Sequence, residues 1–171
     1  MNNLEIFNLI KKDAEYFSIE DIIPPKEPSE QEQQQPHNRI KYISRLVTEY
    51  NQQTFLEIKS RKCIEMIEEV DAAAFNEFTF RINKYMDENA PGQDALKRYV
   101  RLISTYLTFI AKRSLHPPGM IMGGEQKIVG KDNKFYCPVK NKQMHGALSV
   151  CKYCVSRDIS EINEKLQQKK S

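Results

Sequence analysis

The sequence contains no tryptophan, few glycines and no long hydrophobic run. Its longest apolar-looking segment, Val100 to Ala111, is interrupted by Arg101, Ser104, Thr105 and Thr108. A membrane-spanning helix needs about 20 mostly apolar residues, so we expect none here. The first residues also lack the basic and then apolar segments of a signal peptide. We therefore predict a cytoplasmic protein that has no contact with a membrane.

Cysteine and histidine are also scarce, with four and three residues in the chain. They are not evenly spread, because residues 115–154 contain three of the cysteines, two of the histidines and five of the six glycines. In a reducing compartment, clustered cysteines more often bind metals or carry redox chemistry than form structural disulfides. This segment is therefore the candidate functional region.

The charge is unevenly distributed, although the net charge is only +3. Residues 1–90 carry 11 basic and 17 acidic side chains, whereas residues 91–171 carry 15 basic and 6 acidic ones. A basic half is typical of proteins that bind nucleic acid or an acidic protein, although a solvated surface with a lysine-rich tail is the simpler interpretation. The predicted contact residues are Lys127, Lys131, Lys134, Lys140 and Lys142, with Phe135 and Tyr136 as stacking groups.

Apolar residues at spacings of three and four predict helices over residues 3–17, 37–69, 72–88 and 93–113. Proline and glutamine dominate residues 24–36, which predicts a mobile loop because this segment cannot bury enough apolar surface. Cys63 lies within the second predicted helix. A lone helical cysteine is most often a small buried hydrophobe, and the alternative is a fourth metal ligand.

The period changes after residue 113. Residues 126–129 and 134–136 flank Gly130–Asn133, which predicts a short β-hairpin with Cys137 just beyond its second strand. Residues 148–167 return to a helical pattern, with Cys151 and Cys154 near its start. We therefore expect a mainly α single domain over residues 1–171. It is a bundle of four to five helices with a small β-hairpin and a cysteine-rich metal knuckle in a C-terminal lobe (residues 115–157).

The spacing of the cysteines favours a metal site. Cys151 and Cys154 have the C-x2-C spacing with which two thiolates hold one ion, and Cys137 could supply a third sulfur from the hairpin. The candidate fourth ligands are His116, in a Pro/Gly-rich turn at the end of a helix, and His145. We favour His116, because the loop around His145 has the composition of a polar excursion. Zinc fits this donor set, and an iron–sulfur cluster is the competing assignment.

Other interpretations of the same residues stay open. The cysteines could be buried or reactive thiols without a metal. Cys151 and Cys154 could also form a redox dithiol, but that motif normally follows a βαβ pattern, which is not found here. The sequence thus leaves two function classes. One is a binding module with a closed structural zinc site, and the other is an enzyme or redox protein with an open metal position or a cluster.

A family resemblance carries part of this prediction. It rests on the segments ALKRYVRLISTYLTFIAKRSLHPPGM, GG, FYCPVKNKQ and SVCKYC in this order. In this combination the chain resembles an uncharacterised protein family of methanogenic archaea, catalogued as a domain of unknown function. The resemblance implies an archaeal origin and marks His116, Cys137, Cys151 and Cys154 as the motif-bearing positions. It implies no activity or substrate. An anaerobic source would favour an iron–sulfur cluster relative to zinc.

Overall fold

The computed structural model describes residues 1–18 and 37–162. Within these residues the protein is mainly helical with one small sheet, as the sequence predicts. The predicted mobile loop at residues 24–36 lies outside the described part. The helices are α1 (Asn3–Glu15), α2 (His37–Ser60), α3 (Ala72–Asn89), α4 (Asp94–Thr105), which continues as a π-helix (Tyr106–Ile110), and the short α5 (Lys140–Gln143). The strands are β1 (Val129–Lys131), β2 (Lys134–Cys137) and β3 (Arg157–Asp158).

Helix α1 begins with a complete capping box. The Asn2 side chain accepts a hydrogen bond from the Glu5 backbone N–H at 2.9 Å, and the Glu5 carboxylate accepts one from the Asn2 N–H at 2.8 Å. The neighbouring Asn3 is buried, and its side chain hydrogen bonds to the backbone of the α2–α3 connection. Its amide donates to the Met66 carbonyl at 3.0 Å and accepts from the Glu68 N–H at 2.9 Å. This pairing holds the otherwise irregular residues 61–71 against α1.

The main core lies where α1, α3 and α4 meet the second half of α2. Phe78 of α3 is fully buried and makes edge-to-face contacts with Phe109 and Tyr153, at centroid distances of 5.1 and 5.5 Å. Such aromatic pairs add stabilisation beyond the area they bury. Because Tyr153 belongs to the C-terminal lobe and Phe109 to the π-helix, Phe78 joins the lobe to the helical bundle.

The π-helix that follows α4 is buried on all sides. All five residues from Tyr106 to Ile110 are buried, which one face of a regular helix does not achieve. The wider turn is visible in the hydrogen bonds, since the Ala111 N–H donates to the Tyr106 carbonyl at 2.8 Å. Lys112 then takes a positive φ of 50° and ends the helix. Single π-turns of this kind are frequent at functional sites.

Helix α2 is shorter than predicted and is buried over only part of its length. It ends at Ser60 instead of residue 69, and Ile40 near its start is 73% exposed. Thr54, Phe55 and Ile58 in its second half are buried. Although α2 has 24 residues, no helix in the described ranges is both long enough and apolar enough to cross a membrane.

Cys63 is a correction to the sequence prediction. It lies beyond the end of α2 in the irregular connection to α3, and its side chain is exposed. The predicted stripe fails here because the chain leaves the helix at Arg61, whose guanidinium turns back to donate to the Cys63 carbonyl at 3.0 Å. Ile67 in the same connection is also exposed.

The C-terminal lobe contains a three-stranded sheet in the order β1-β2-β3. The β1–β2 hairpin is antiparallel, as predicted, and its turn places Asp132 and Asn133 at positive φ. The predicted helix over residues 148–167 is wrong in its first part. Residues 151–153 form a turn, and Arg157–Asp158 form β3, which pairs in parallel with the end of β2.

A second, small hydrophobic core lies in the C-terminal lobe, next to this sheet. It consists of Ile128, Cys137 and Val139, with Met120 and Met122 packed against it. Gly123 lets the preceding loop approach this core closely. Its φ is +61°, and a Cβ at this position would lie 2.8 Å from the Val139 Cγ1 atom.

Candidate functional site

The sheet places Cys137 next to the Cys151–Cys154 turn. Cys137 is the last residue of β2, where it lies opposite Asp158 of β3, and it is buried. The Cys151–Cys154 turn comes only two residues before β3 begins. The β2–β3 pairing therefore holds two distant parts of the chain, and with them the three cysteines, in the same part of the lobe.

The Cys151–Cys154 turn is tightly hydrogen bonded. The Cys154 N–H donates to the Cys151 carbonyl at 3.2 Å, and the Cys151 N–H donates to the Ser149 hydroxyl at 3.2 Å. The Lys140 ammonium of α5 donates to both the Cys151 and the Cys154 carbonyl, the latter at 2.8 Å. Lys140 is three residues beyond Cys137, so this one side chain ties the turn to the end of β2.

Cys137 lies close enough to Cys151 and Cys154 for their charge to affect its pKa. Burial is the main cause that raises the pKa of Cys137, and negative charge on Cys151 and Cys154 raises it further. The Val139 backbone N–H and the Lys140 ammonium oppose this shift. Three thiolates in this environment would repel one another, and a cation bound between them would relieve the repulsion.

A chain of hydroxyl groups leads from the cysteines into the helical bundle. The Cys154 thiol donates to Ser156 Oγ at 3.4 Å, and Ser156 donates to Ser114 Oγ at 2.9 Å. The Tyr50 hydroxyl of α2 donates to the Ser114 carbonyl at 2.7 Å. Burial raises the pKa of Tyr50 to about 12, so this hydroxyl stays a proton donor at neutral pH. The thiol turn is therefore fixed relative to α2.

The candidate fourth ligands occupy different environments. His116 is half-buried, two residues beyond Ser114, and burial lowers its pKa so that the imidazole stays neutral at pH 7. His145 is exposed. Cys63 lies in the α2–α3 connection that pairs with Asn3, a part of the structure outside the lobe. His116 is the one of the three that is both close in sequence to the hydroxyl chain and shielded from water.

The side chains are not in a coordinating arrangement. Across residues 1–18 and 37–162, no three His, Cys, Asp or Glu side chains are disposed to hold a metal ion. The donor types nevertheless fit zinc, which takes thiolate and imidazole ligands. The fold thus brings the three cysteines into the same part of the lobe without setting their side chains around a common point.

A clamp from α3 holds the lobe that carries these cysteines. Glu77 accepts hydrogen bonds from Lys152 at 2.7 Å and from the Tyr153 hydroxyl at 2.6 Å, the two residues between Cys151 and Cys154. Arg81, one turn further along α3, pairs with Glu77 at 2.7 Å and donates to the Gly146 and Ser149 carbonyls. No sequence motif marks Glu77 or Arg81 as contacts of the lobe, because their partners there lie at least 65 residues away.

We expect the clamp to give the protein an acid-sensitive contribution to stability. Hydrogen bonds from Lys152, Tyr153 and Arg81 lower the pKa of Glu77 from 4.5 to about 2. A lowered folded-state pKa stabilises the fold above about pH 4.5, and this contribution is lost as the pH falls from about 4.5 towards 2. The Glu77→Gln variant should therefore lose less unfolding free energy between pH 5 and pH 2 than the wild type.

Urea unfolding at several pH values measures this difference. Glu88→Gln on the same helix is the matched control, because Glu88 is exposed and forms no ion pair with a described residue. The control should follow the wild-type pH dependence. If Glu77→Gln also followed it, the clamp would have no electrostatic role.

A second polar network surrounds the start of the π-helix. The Tyr106 hydroxyl donates to Glu57 Oε1 at 2.6 Å and accepts a hydrogen bond from Arg61 at 3.0 Å. Arg113 pairs with the other oxygen of Glu57. Tyr106 is fully buried, and its pKa is raised chiefly by burial. The network fixes the π-helix to α2, and with it the Ser114 segment that leads to the cysteines.

The family of this protein is shown by its similarity to known archaeal proteins. Over residues 2–159 the chain matches the family described as an uncharacterised protein conserved in archaea, DUF2115. The chain belongs to this family. A UPF0305 protein of Methanocaldococcus jannaschii is 33% identical over 95% of this chain and 99% of its own length. UPF0305 proteins of Methanococcus maripaludis and Methanothermobacter thermautotrophicus are 30% and 26% identical, covering 95% and 91% of this chain and 100% and 96% of their own. No solved structure matches the chain.

The resemblance to a family of methanogenic archaea is thereby confirmed. The match extends over the helical bundle as well as the C-terminal lobe, so the DUF2115 unit includes both parts of this structure. The relatives cover the lobe together with the helices that clamp it.

The basic half is only partly available to a partner. Lys127, Lys131, Lys134 and Lys142 are exposed, but Lys140 is engaged by the Cys151 and Cys154 carbonyls. Tyr136 is buried in the lobe, so the prediction that it stacks on a base is wrong. Lys134 and Tyr136 lie on the same face of β2, but burial increases along the strand from the exposed Lys134 to the buried Tyr136 and Cys137.

Proposed function

We propose that this DUF2115 protein is a zinc-binding helical module. Cys137, Cys151 and Cys154 supply three thiolate ligands, and His116 supplies the fourth. The observation that carries the proposal is the β2–β3 pairing, which brings Cys137 into the same part of the lobe as the Cys151–Cys154 turn. With four protein ligands the site is closed, and its role is to hold the C-terminal lobe in place.

Zinc binding requires local rearrangement of this site. The thiols must lose their protons, since the thiolate is the form that binds a metal. Their side chains must also rotate towards a common centre, because the described arrangement does not present three ligands together. The tight turn and the Lys140 hydrogen bonds fix the backbone around Cys151 and Cys154.

A role for the basic half is a second part of the proposal. Lys131 and Lys134 lie on the β1–β2 hairpin beside the half-buried Phe135, Lys127 lies just before it, and Lys142 lies on α5. They would contact an acidic macromolecule, nucleic acid or protein, in a reducing cytoplasm. Zinc would serve this function indirectly by fixing the hairpin that carries the lysines.

Elemental analysis of anaerobically purified protein, together with its absorption spectrum, tests the proposal. We expect about one zinc ion per chain and a colourless protein. If the protein contained iron and showed visible charge-transfer absorption, the site would be assigned as an iron–sulfur cluster. That result would favour an enzyme or redox protein. Protein that holds neither metal after incubation with zinc would refute metal binding.

The Cys63→Ser variant is the matched control for this measurement. It removes one thiol from an exposed position outside the lobe. Its zinc content should equal that of the wild type, whereas Cys137→Ser should lose most of the metal. An equal loss in both variants would show that zinc binds adventitiously to exposed thiols.

A further inference from the structure

A groove on the helical bundle combines apolar and cationic side chains. It has a volume of about 320 Å³, near the lower end of the range of small-molecule sites. All its lining residues lie on α1, α3 and α4 or at Tyr16, just beyond α1. The groove is therefore separate from the candidate zinc site in the C-terminal lobe.

The charges of the groove do not balance. Lys12, Arg98 and Arg101 line it together with a single carboxylate, Asp13. Asp13 is shared, since its Oδ1 atom lies 2.5 Å from Arg98 Nη2 and its Oδ2 atom 3.6 Å from Arg101 Nη2. Lys12 is exposed and forms no ion pair with any described residue. The groove thus has an excess of two positive charges.

The two guanidinium groups are held in place before any ligand arrives. Asp13 pairs with both, and Arg98 also lies over the Phe17 ring, 4.8 Å from its centroid. Each guanidinium has five N–H donors, so contacts with one carboxylate leave donors free. Fixed guanidinium groups are well suited to carboxylate and phosphate oxygens, because little side-chain entropy remains to be lost on binding.

An apolar wall also lines the groove and is partly exposed. Leu9 and Tyr16 are 58% and 72% exposed, although both are large hydrophobic residues. Phe75 and Leu102 also belong to this wall. The groove therefore offers apolar contact in addition to its cationic side chains.

We propose that this groove binds a small organic anion. The acidic head of the ligand, a carboxylate or a phosphate, contacts Arg98, Arg101 and Lys12. Its apolar body lies over Leu9, Tyr16 and Phe75. The juxtaposition of two positioned guanidinium groups with an exposed apolar wall is what selects this class of ligand over an inorganic anion or a neutral hydrophobe.

Isothermal titration of the full chain with phenyl phosphate, phenylacetate and inorganic phosphate tests this proposal. We expect at least one aromatic anion to bind about tenfold more tightly than inorganic phosphate, because only it uses the apolar wall. Tighter binding of phenyl phosphate would identify a phosphate head, and tighter binding of phenylacetate a carboxylate head. Either result supports the proposal.

Two variants and a control locate the binding. Arg101→Gln should weaken the binding of the aromatic anion about tenfold or more, since it removes a charge-assisted contact. Lys12→Gln should weaken this binding several-fold. The substitution should leave the fold intact, because Lys12 is exposed. The control is Arg45→Gln, which removes the same charge and an i,i+4 ion pair on α2. It should bind like the wild type.

Three results would overturn the proposal. The first is no binding of any probe at millimolar concentration. The second is equal affinity for the aromatic and inorganic anions, which would remove the apolar wall from the site. The third is an equal loss in Arg45→Gln and Lys12→Gln, which would show attraction to the overall charge only.

Discussion

Replacing Cys151 with serine is expected to lower the melting temperature of the zinc-loaded protein far more than replacing Cys63. A structural zinc contributes roughly 10–16 kcal/mol of apparent binding free energy, and loss of one thiolate removes much of it. Cys63 is exposed in the α2–α3 connection, so its replacement changes little packing. Thermal unfolding followed by circular dichroism, with one equivalent of zinc, measures both shifts.

The same experiment in excess chelator is the control. Without zinc, Cys151→Ser loses only the contacts of a half-buried side chain, so the difference between the variants should become small. This comparison separates the metal contribution from packing. Equal melting shifts for Cys151→Ser and Cys63→Ser in the presence of zinc would contradict a structural role for the metal.

Replacing Phe78 with alanine is expected to have the largest effect on the metal-free fold. Phe78 is fully buried and contacts Phe109 of the π-helix and Tyr153 of the C-terminal lobe. Truncation of a buried phenylalanine costs about 3–5 kcal/mol, because it removes apolar burial and leaves a cavity. Urea unfolding in the presence of chelator measures the loss of unfolding free energy.

Phe80 on the same helix provides the matched control. It is 61% exposed, two residues from Phe78, and therefore on another face of α3. Phe80→Ala should change the unfolding free energy by only about 0.5 kcal/mol. If Phe78→Ala cost no more than Phe80→Ala, the aromatic contacts between α3, the π-helix and the lobe would not be part of the folded structure in solution.

The buried residues of a helix could be predicted from the sequence where the helix buries a single face. Phe78, Ile82 and Met86 of α3 are spaced by four residues and all lie in the core. The same reasoning fails for α2, where Ile40 continues the apolar stripe but is exposed. It fails again at the π-helix, since its wider turn also buries Thr108, which a regular helical period places away from the apolar stripe of α4.

The candidate site residues were chosen from their spacing, but their surroundings could not be predicted from it. The C-x2-C spacing draws attention to Cys151 and Cys154, yet it does not show that they lie in a turn before a strand instead of in a helix. The groups that fix this turn are Lys140, Ser114 and Glu77. Ser114 and Glu77 are distant in sequence, and their contacts depend on tertiary packing that no local pattern encodes.

X-ray absorption at the zinc edge of the loaded protein tests the zinc site most directly. The proposed ligands predict three sulfur neighbours at about 2.3 Å and one nitrogen at about 2.0–2.1 Å. The zinc that Cys137→Ser still binds should have two sulfur neighbours, and the zinc in Cys63→Ser should keep three. A wild-type spectrum with only oxygen and nitrogen neighbours, or with fewer than three sulfurs, would contradict the assignment of Cys137, Cys151 and Cys154 as the ligands.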